Sequence, residues 1–137
     1  MTAKQEMTKN EFEDIVALEF PRAIPEKFQS KLKNVGFVVE SHPSDEVRDE
    51  QELKSNETLL GLYRGIPLSE RGENYGVGAV MPDVITLYQI PIEEEARLTN
   101  TDVKKVIRDT IWHEVAHHFG LNEHAVGIRE KQRRKTS

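Results

Sequence analysis

The sequence predicts one domain in which helices at the two ends enclose a few short strands. Three observations carry that expectation. Apolar residues recur at helical spacing around Phe12–Phe20 and again around Val103–Phe119. Between them lie runs of β-branched and aromatic residues bounded by turn-formers, at Val35–Val39, Leu59–Pro67 and Asp83–Ile90. The length, 137 residues, suits a single compact unit.

Composition narrows the classes. The hydrophobic share is 36% and the charged share 31%, against typical values of about 45–50% and about 25%. A modest core under a heavily charged surface follows. Without cysteine, disulfides, Cys-type zinc ribbons and thiol catalysis are excluded. A net charge of −5 argues against nucleic-acid binding. No apolar run opens the chain, and about eighteen consecutive apolar residues occur nowhere, so no membrane segment and a soluble, cytoplasmic protein are expected.

Thr8 with Glu11 makes a capping box, and the first helix should end before Pro21. Pro25 suits the first turn of a short second helix, with Phe28 and Leu32 on its buried face and Asn34 or Gly36 at its end. Val35–Val39 reads as a strand. From Glu40 to Glu57, seven acids meet only Arg48 and Lys54, and this stretch alone carries a net −5. Few apolar residues are available to offset ordering, so 40–57 reads as a mobile acidic loop. Leu59–Pro67 resumes as a strand, and Gly61 inside it signals a bulge or the close approach of another backbone. In Asp83–Ile90 the alternation of Ile85 and Leu87 with Thr86 and Tyr88 gives a strand with one buried face. Pro91 marks it as an edge strand or a strand end.

The third helix is the best defined. Asn100 or Thr101 caps it, Asp102 suits its dipole, and it runs to about Phe119. Its first half carries one apolar stripe and its second half is apolar almost all round, so the C-terminal end should be the buried one. That end reads His113-Glu114-Val115-Ala116-His117-His118-Phe119-Gly120, followed by Leu121-Asn122-Glu123.

Residues four apart on a helix share a face, so His113 and His117 can converge on one metal ion. Glu114 lies one position further round, where a zinc hydrolase needs its general base. Gly120 can turn the chain back, and spacing makes Glu123 the third ligand, preferred over its neighbour His124. His118 lies about 100° from His117 on the Ile107/Ile111 side and reads as a packing residue. Two imidazoles and one carboxylate leave zinc a fourth position for water, as in catalytic sites. Tyr63, Arg64, Tyr75 and Tyr88 are candidate donors to an oxyanion. Beyond the motif a last helix begins near Asn122, and a basic tail at 129–137 reads as a solvated end.

The stretches Leu60-Gly61-Leu62-Tyr63-Arg64-Gly65-Ile66-Pro67-Leu68, Pro82 to Tyr88 and His113 to Glu123 resemble the small bacterial zincin-like metallopeptidase family. In order and spacing the resemblance covers most of the chain from Phe12 to the last helix. It implies an α+β domain whose small mixed sheet packs against helices, including the one bearing the motif. It also implies Zn2+ on His113, His117 and Glu123, with Glu114 as base. Asp is commoner in the family at the last of these places, and Glu is one methylene longer.

The functional expectation is a zinc-dependent peptidase or amide hydrolase. Its substrates would be short or extended peptides, laid along the strand that contains Thr86 and Tyr88. The alternative is a zinc-binding or partner-binding module without turnover. A more remote reading is a structural zinc that takes His124 as a further ligand and whose chelation unfolds the chain.

Overall fold

The computed structural model describes residues 7–30, 35–65, 83–119 and 133–135. They form an α+β arrangement with a small mixed sheet, as the sequence predicts.

Helix α1 (Lys9–Ala23) opens on the predicted capping box: Thr8 Oγ1 accepts from Glu11 N, and Glu11 Oε1 accepts from Thr8 N. It does not stop before Pro21. Proline removes one helical hydrogen bond, but burial of Ala23 and Ile24 holds the last turn in place. Gln29 Nε2 reaches back to the carbonyls of Ile24 (3.1 Å) and Pro21 (3.4 Å), satisfying acceptors that a helix end leaves open. Helix α2 (Glu26–Gln29) follows Pro25 and presents Phe28 to Trp112 at 5.4 Å between ring centres. Leu32 and Asn34 lie outside the described residues.

Strand β1 (Val35–Glu40) lies where the sequence places it. The acidic stretch after it is not a loop throughout, and the reason is local. Ser44 Oγ accepts from Val47 N, and Asp45 and Glu46 occupy the first turn of helix α3 (Asp45–Glu50), where negative charge suits the dipole. Arg48 donates to the Lys54 carbonyl at 2.7 Å, and Glu57 accepts from Lys54 N at 3.0 Å. The charges act as caps and clasps, so hydrogen bonding orders what apolar burial does not.

The expected strand at 59–67 is two strands, β2 (Glu57–Leu59) and β3 (Gly61–Arg64), broken at Leu60. β2 pairs antiparallel with β5 (Arg133–Lys135), setting Glu57 opposite Lys135. Part of the basic tail is thus strand-paired rather than frayed, and an acidic segment faces a basic one.

Strand β4 (Asp83–Tyr88) is the centre of the main sheet, whose order is β1-β4-β3. It runs parallel to β1 and antiparallel to β3. The edge-strand expectation therefore fails, and so does the peptide path along Thr86 and Tyr88. Pro91 ends the strand without placing it at an edge, because it falls in the first turn of helix α4 (Gln89–Thr99). An N–H there has no partner within the helix in any case, so proline costs nothing.

Helix α4 ends at Asn100, which takes left-handed φ 56°. Asp102 caps helix α5 (Val103–His118), accepting from Lys104 N at 2.8 Å. Helices α1, α4 and α5 pack with the sheet around Phe12, Val16, Ile85, Leu87, Ile92 and Ile111, all fully buried. A charged residue also reaches this interior. Glu19 of α1 is buried and accepts from Arg108 of α5 (2.8 Å) and Arg22 (3.4 Å), tying the two helices together. Among the described residues no helix is long and apolar enough to cross a membrane.

Candidate metal centre and general base

The motif lies in the last turns of α5. His113 is buried and His117 exposed. Burial along the helix runs from Val106 to Ala116, and His117, His118 and Phe119 emerge from it. The expectation that the C-terminal end is the buried end is thus corrected. The interior ends one turn earlier, at Ala116.

The two imidazoles lie one turn apart with rings nearly parallel, 20° between planes and 5.9 Å between centres. A zinc–nitrogen bond is about 2.0–2.1 Å, so two rings sharing one tetrahedral ion have centres roughly 5 Å apart. The pair lies within about an ångström of that spacing, and imidazole nitrogens are a suitable donor set. In residue type and spacing, His113 and His117 suit a shared metal. Glu123 and His124, the rival third ligands, lie outside the described residues, as does Gly120. Among the described residues no group of three or more metal-binding side chains comes together.

Glu114 points at β3. Its Oε1 accepts from Tyr63 N at 3.3 Å. The geometry of the sheet explains why that amide is available. Tyr88 N donates to Leu60 O at 2.9 Å, so Leu60 and Tyr88 are a hydrogen-bonded pair. With alternation along an antiparallel ladder, Gly61 and Tyr63 then turn their backbone groups away from β4. Glu114 therefore docks on the outer edge of β3. Burial pushes its pKa up to about 7, opposed in part by the Tyr63 hydrogen bond.

Gly61 makes this approach possible. A Cβ there would lie 2.8 Å from Thr110 Cγ2, 3.1 Å from Thr86 O and 3.7 Å from Glu114 Cγ. Of the two sequence expectations for Gly61, close approach is the one realised: the backbone atom is the Thr86 carbonyl of β4, and α5 approaches with the side chains of Thr110 and Glu114.

Of the expected oxyanion donors, Tyr63 shares the helix-facing side of β3, but its hydroxyl donates to Asp83 Oδ2 at 2.8 Å. Arg64 is one residue on along the strand, faces away, and pairs with Glu50. The Tyr88 hydroxyl is pushed up to about 12, first by burial and then by Glu40, with Glu114 and Glu50 adding and Arg64 opposing. Tyr75 lies outside the described residues. His118 packs, as expected, though at the surface rather than in the core: its ring stacks on Tyr63 at 4.0 Å and 15°. Asp83 escaped sequence reasoning altogether, since nothing local marks it as a partner of residues twenty positions before and thirty-five after it.

The family model described as zincin-like metallopeptidase matches residues 32–132. The chain belongs to that family. Among solved structures, this family member is similar to a conserved hypothetical protein from Thermo thermophilus. The identity is 22% over 88% of this chain and 98% of the other, with a TM-score of 0.50. That likeness concerns the fold alone. No curated protein matches the chain. Within the zincin-like family the α+β architecture, with a small mixed sheet against the motif-bearing helix, is the fold described above.

Proposed function

We propose that this zincin-like protein is a zinc-dependent peptidase or amide hydrolase. One observation carries the reading: the Glu114 carboxylate sits at the outer edge of β3, on the same helical turns as the paired imidazoles of His113 and His117. His113 and His117 would hold the metal, with Glu123 as the third donor that the sequence assigns. Zinc bound there supplies a Lewis acid and brings the pKa of its water down towards about 7.

The chain's own residues do the rest. β3 is an edge of the described sheet with Glu114 seated on it at the Tyr63 amide, so an extended peptide bound next to that edge would lie beside Glu114. Glu114 takes a proton from the attacking water and returns it to the leaving amine. The Tyr63 amide holds one carboxylate oxygen and leaves the other for water. Short or extended peptides are the substrates this arrangement suits, because so small a domain has little wall from which to build deep subsites.

A peptide-library digest by the zinc-loaded protein, run beside Glu114→Gln at equal metal content, tests the proposal. Cleavage by the parent and loss of at least about a hundredfold in the variant is the expected result. Cleavage that survives the substitution removes Glu114 from the mechanism. Failure to cut any member favours a non-catalytic zinc-binding module on the same scaffold.

A further inference from the structure

Glu114 and His118 are four residues apart, so they lie on one face of α5 and meet β3 together. Both reach the same residue. Glu114 accepts from the Tyr63 amide at 3.3 Å, while the His118 ring lies flat against the Tyr63 ring at 4.0 Å. The Tyr63 hydroxyl in turn donates to Asp83 Oδ2 at 2.8 Å, and that oxygen is 4.0 Å from His118 Nε2. Gly65 closes the arrangement. A Cβ at that position would come within 2.7 Å of His118 Cε1 and 3.5 Å of Asp83 Oδ2.

Tyr63 is therefore fixed at its amide, its ring face and its hydroxyl. The cluster adds little to the core. Tyr63 is half-buried and His118 is 36% exposed, whereas the fully buried residues lie deeper, between α1, α4, α5 and the sheet. What the cluster does control is the position of one amide. A single hydrogen bond of 3.3 Å restrains a carboxylate only as well as its donor is itself held. We infer that Asp83, Tyr63 and His118 form a clamp that holds the Tyr63 amide on Glu114 and so sets the direction of the base. This inference rests on the role proposed for Glu114. The three are positioning residues, acting on the base through the strand.

Amide hydrogen exchange in the full-length protein, read residue by residue by NMR, tests the clamp. His118→Ala removes the ring, His118→Phe keeps it, and Tyr63→Phe removes the bond to Asp83. The expected result is exchange at residue 63 about tenfold faster in His118→Ala and in Tyr63→Phe. It should stay within about twofold of the parent in His118→Phe, and Ile85 and Leu87 should be unchanged throughout. An unchanged rate at residue 63 in both disruptive variants would overturn the inference. So would equal acceleration at Ile85 and Leu87, which means general loosening. The readout needs no turnover. A protected amide in a protein that cuts nothing sinks the peptidase reading and leaves the clamp, whereas cleavage with an unprotected amide sinks the clamp.

Discussion

Glu114 is placed where its charge is disfavoured, and that has a measurable consequence in the metal-free protein. Its pKa is raised by burial from the ordinary 4.5 to about 7. A raised folded-state value means that the neutral form is the one the fold prefers. The stability from that preference is fully present below about pH 4.5 and is lost as pH rises through about 7. Glu114→Gln keeps the shape and cannot ionise. In metal-free protein the variant should therefore gain stability over the parent as pH rises from about 5 to about 8, by denaturant midpoint. A gap between the two that stays constant over that range would show that the carboxylate is not disfavoured there. At this scale much was legible: His113, Glu114 and His117 follow from spacing alone. The partners of Glu114 were not, because Tyr63 lies 51 positions away and only the packing of α5 on β3 joins them.

Two features of the elements govern how α5 is seated. Gly61 lets the helix close on β3, and Gly61→Ala would drive a methyl into the buried Thr110 side chain and a backbone carbonyl. The expected cost is about 1–3 kcal/mol, read as a lower denaturant midpoint with an unchanged slope. A neutral result would mean that β3 and α5 can move apart freely. On the other side of the helix, Arg108 holds the buried Glu19 carboxylate. Arg108→Ala leaves that carboxylate with Arg22 alone, at the longer distance of 3.4 Å. A loss of about 1–3 kcal/mol is expected, at the low end because Arg108 is itself partly solvated. Replacing Glu19 by Gln in the same background should recover part of the loss, which a purely steric role for Arg108 would not predict. Cap chemistry made α1 readable down to Thr8 with Glu11, whereas the cap of α5 is Asp102 rather than the expected Asn100 or Thr101, which end and follow α4. Helix α4 escaped because Ile90-Pro91-Ile92 looks like the end of a strand, and a proline suits a strand end as well as the first turn of a helix. Helix α3 escaped for a different reason. Its stability comes from caps and an Arg48 clasp rather than from an apolar face, so a composition argument counts it as loop.

At the scale of the molecule, the fold class was legible, and the candidate site was marked by one local motif. Strand order was not legible. Alternation in Asp83–Ile90 shows which face is buried, but whether a strand is central or at an edge depends on neighbours it does not encode. Among the described strands the sheet edges are therefore β1 and β3, and β3 is the strand on which Glu114 docks. The helix that carries the paired imidazoles thus also carries the proposed base to the edge of the described sheet. The proposed metal centre takes two histidines from this helix and one carboxylate, Glu123, from the chain beyond it. Metal analysis of the purified full-length protein beside its His113→Ala, Glu123→Ala and His124→Ala variants tests it most directly. The account predicts one zinc per chain in the parent and in His124→Ala, with zinc lost from His113→Ala and Glu123→Ala. Full zinc in His113→Ala, or no zinc in the parent after loading, would contradict it.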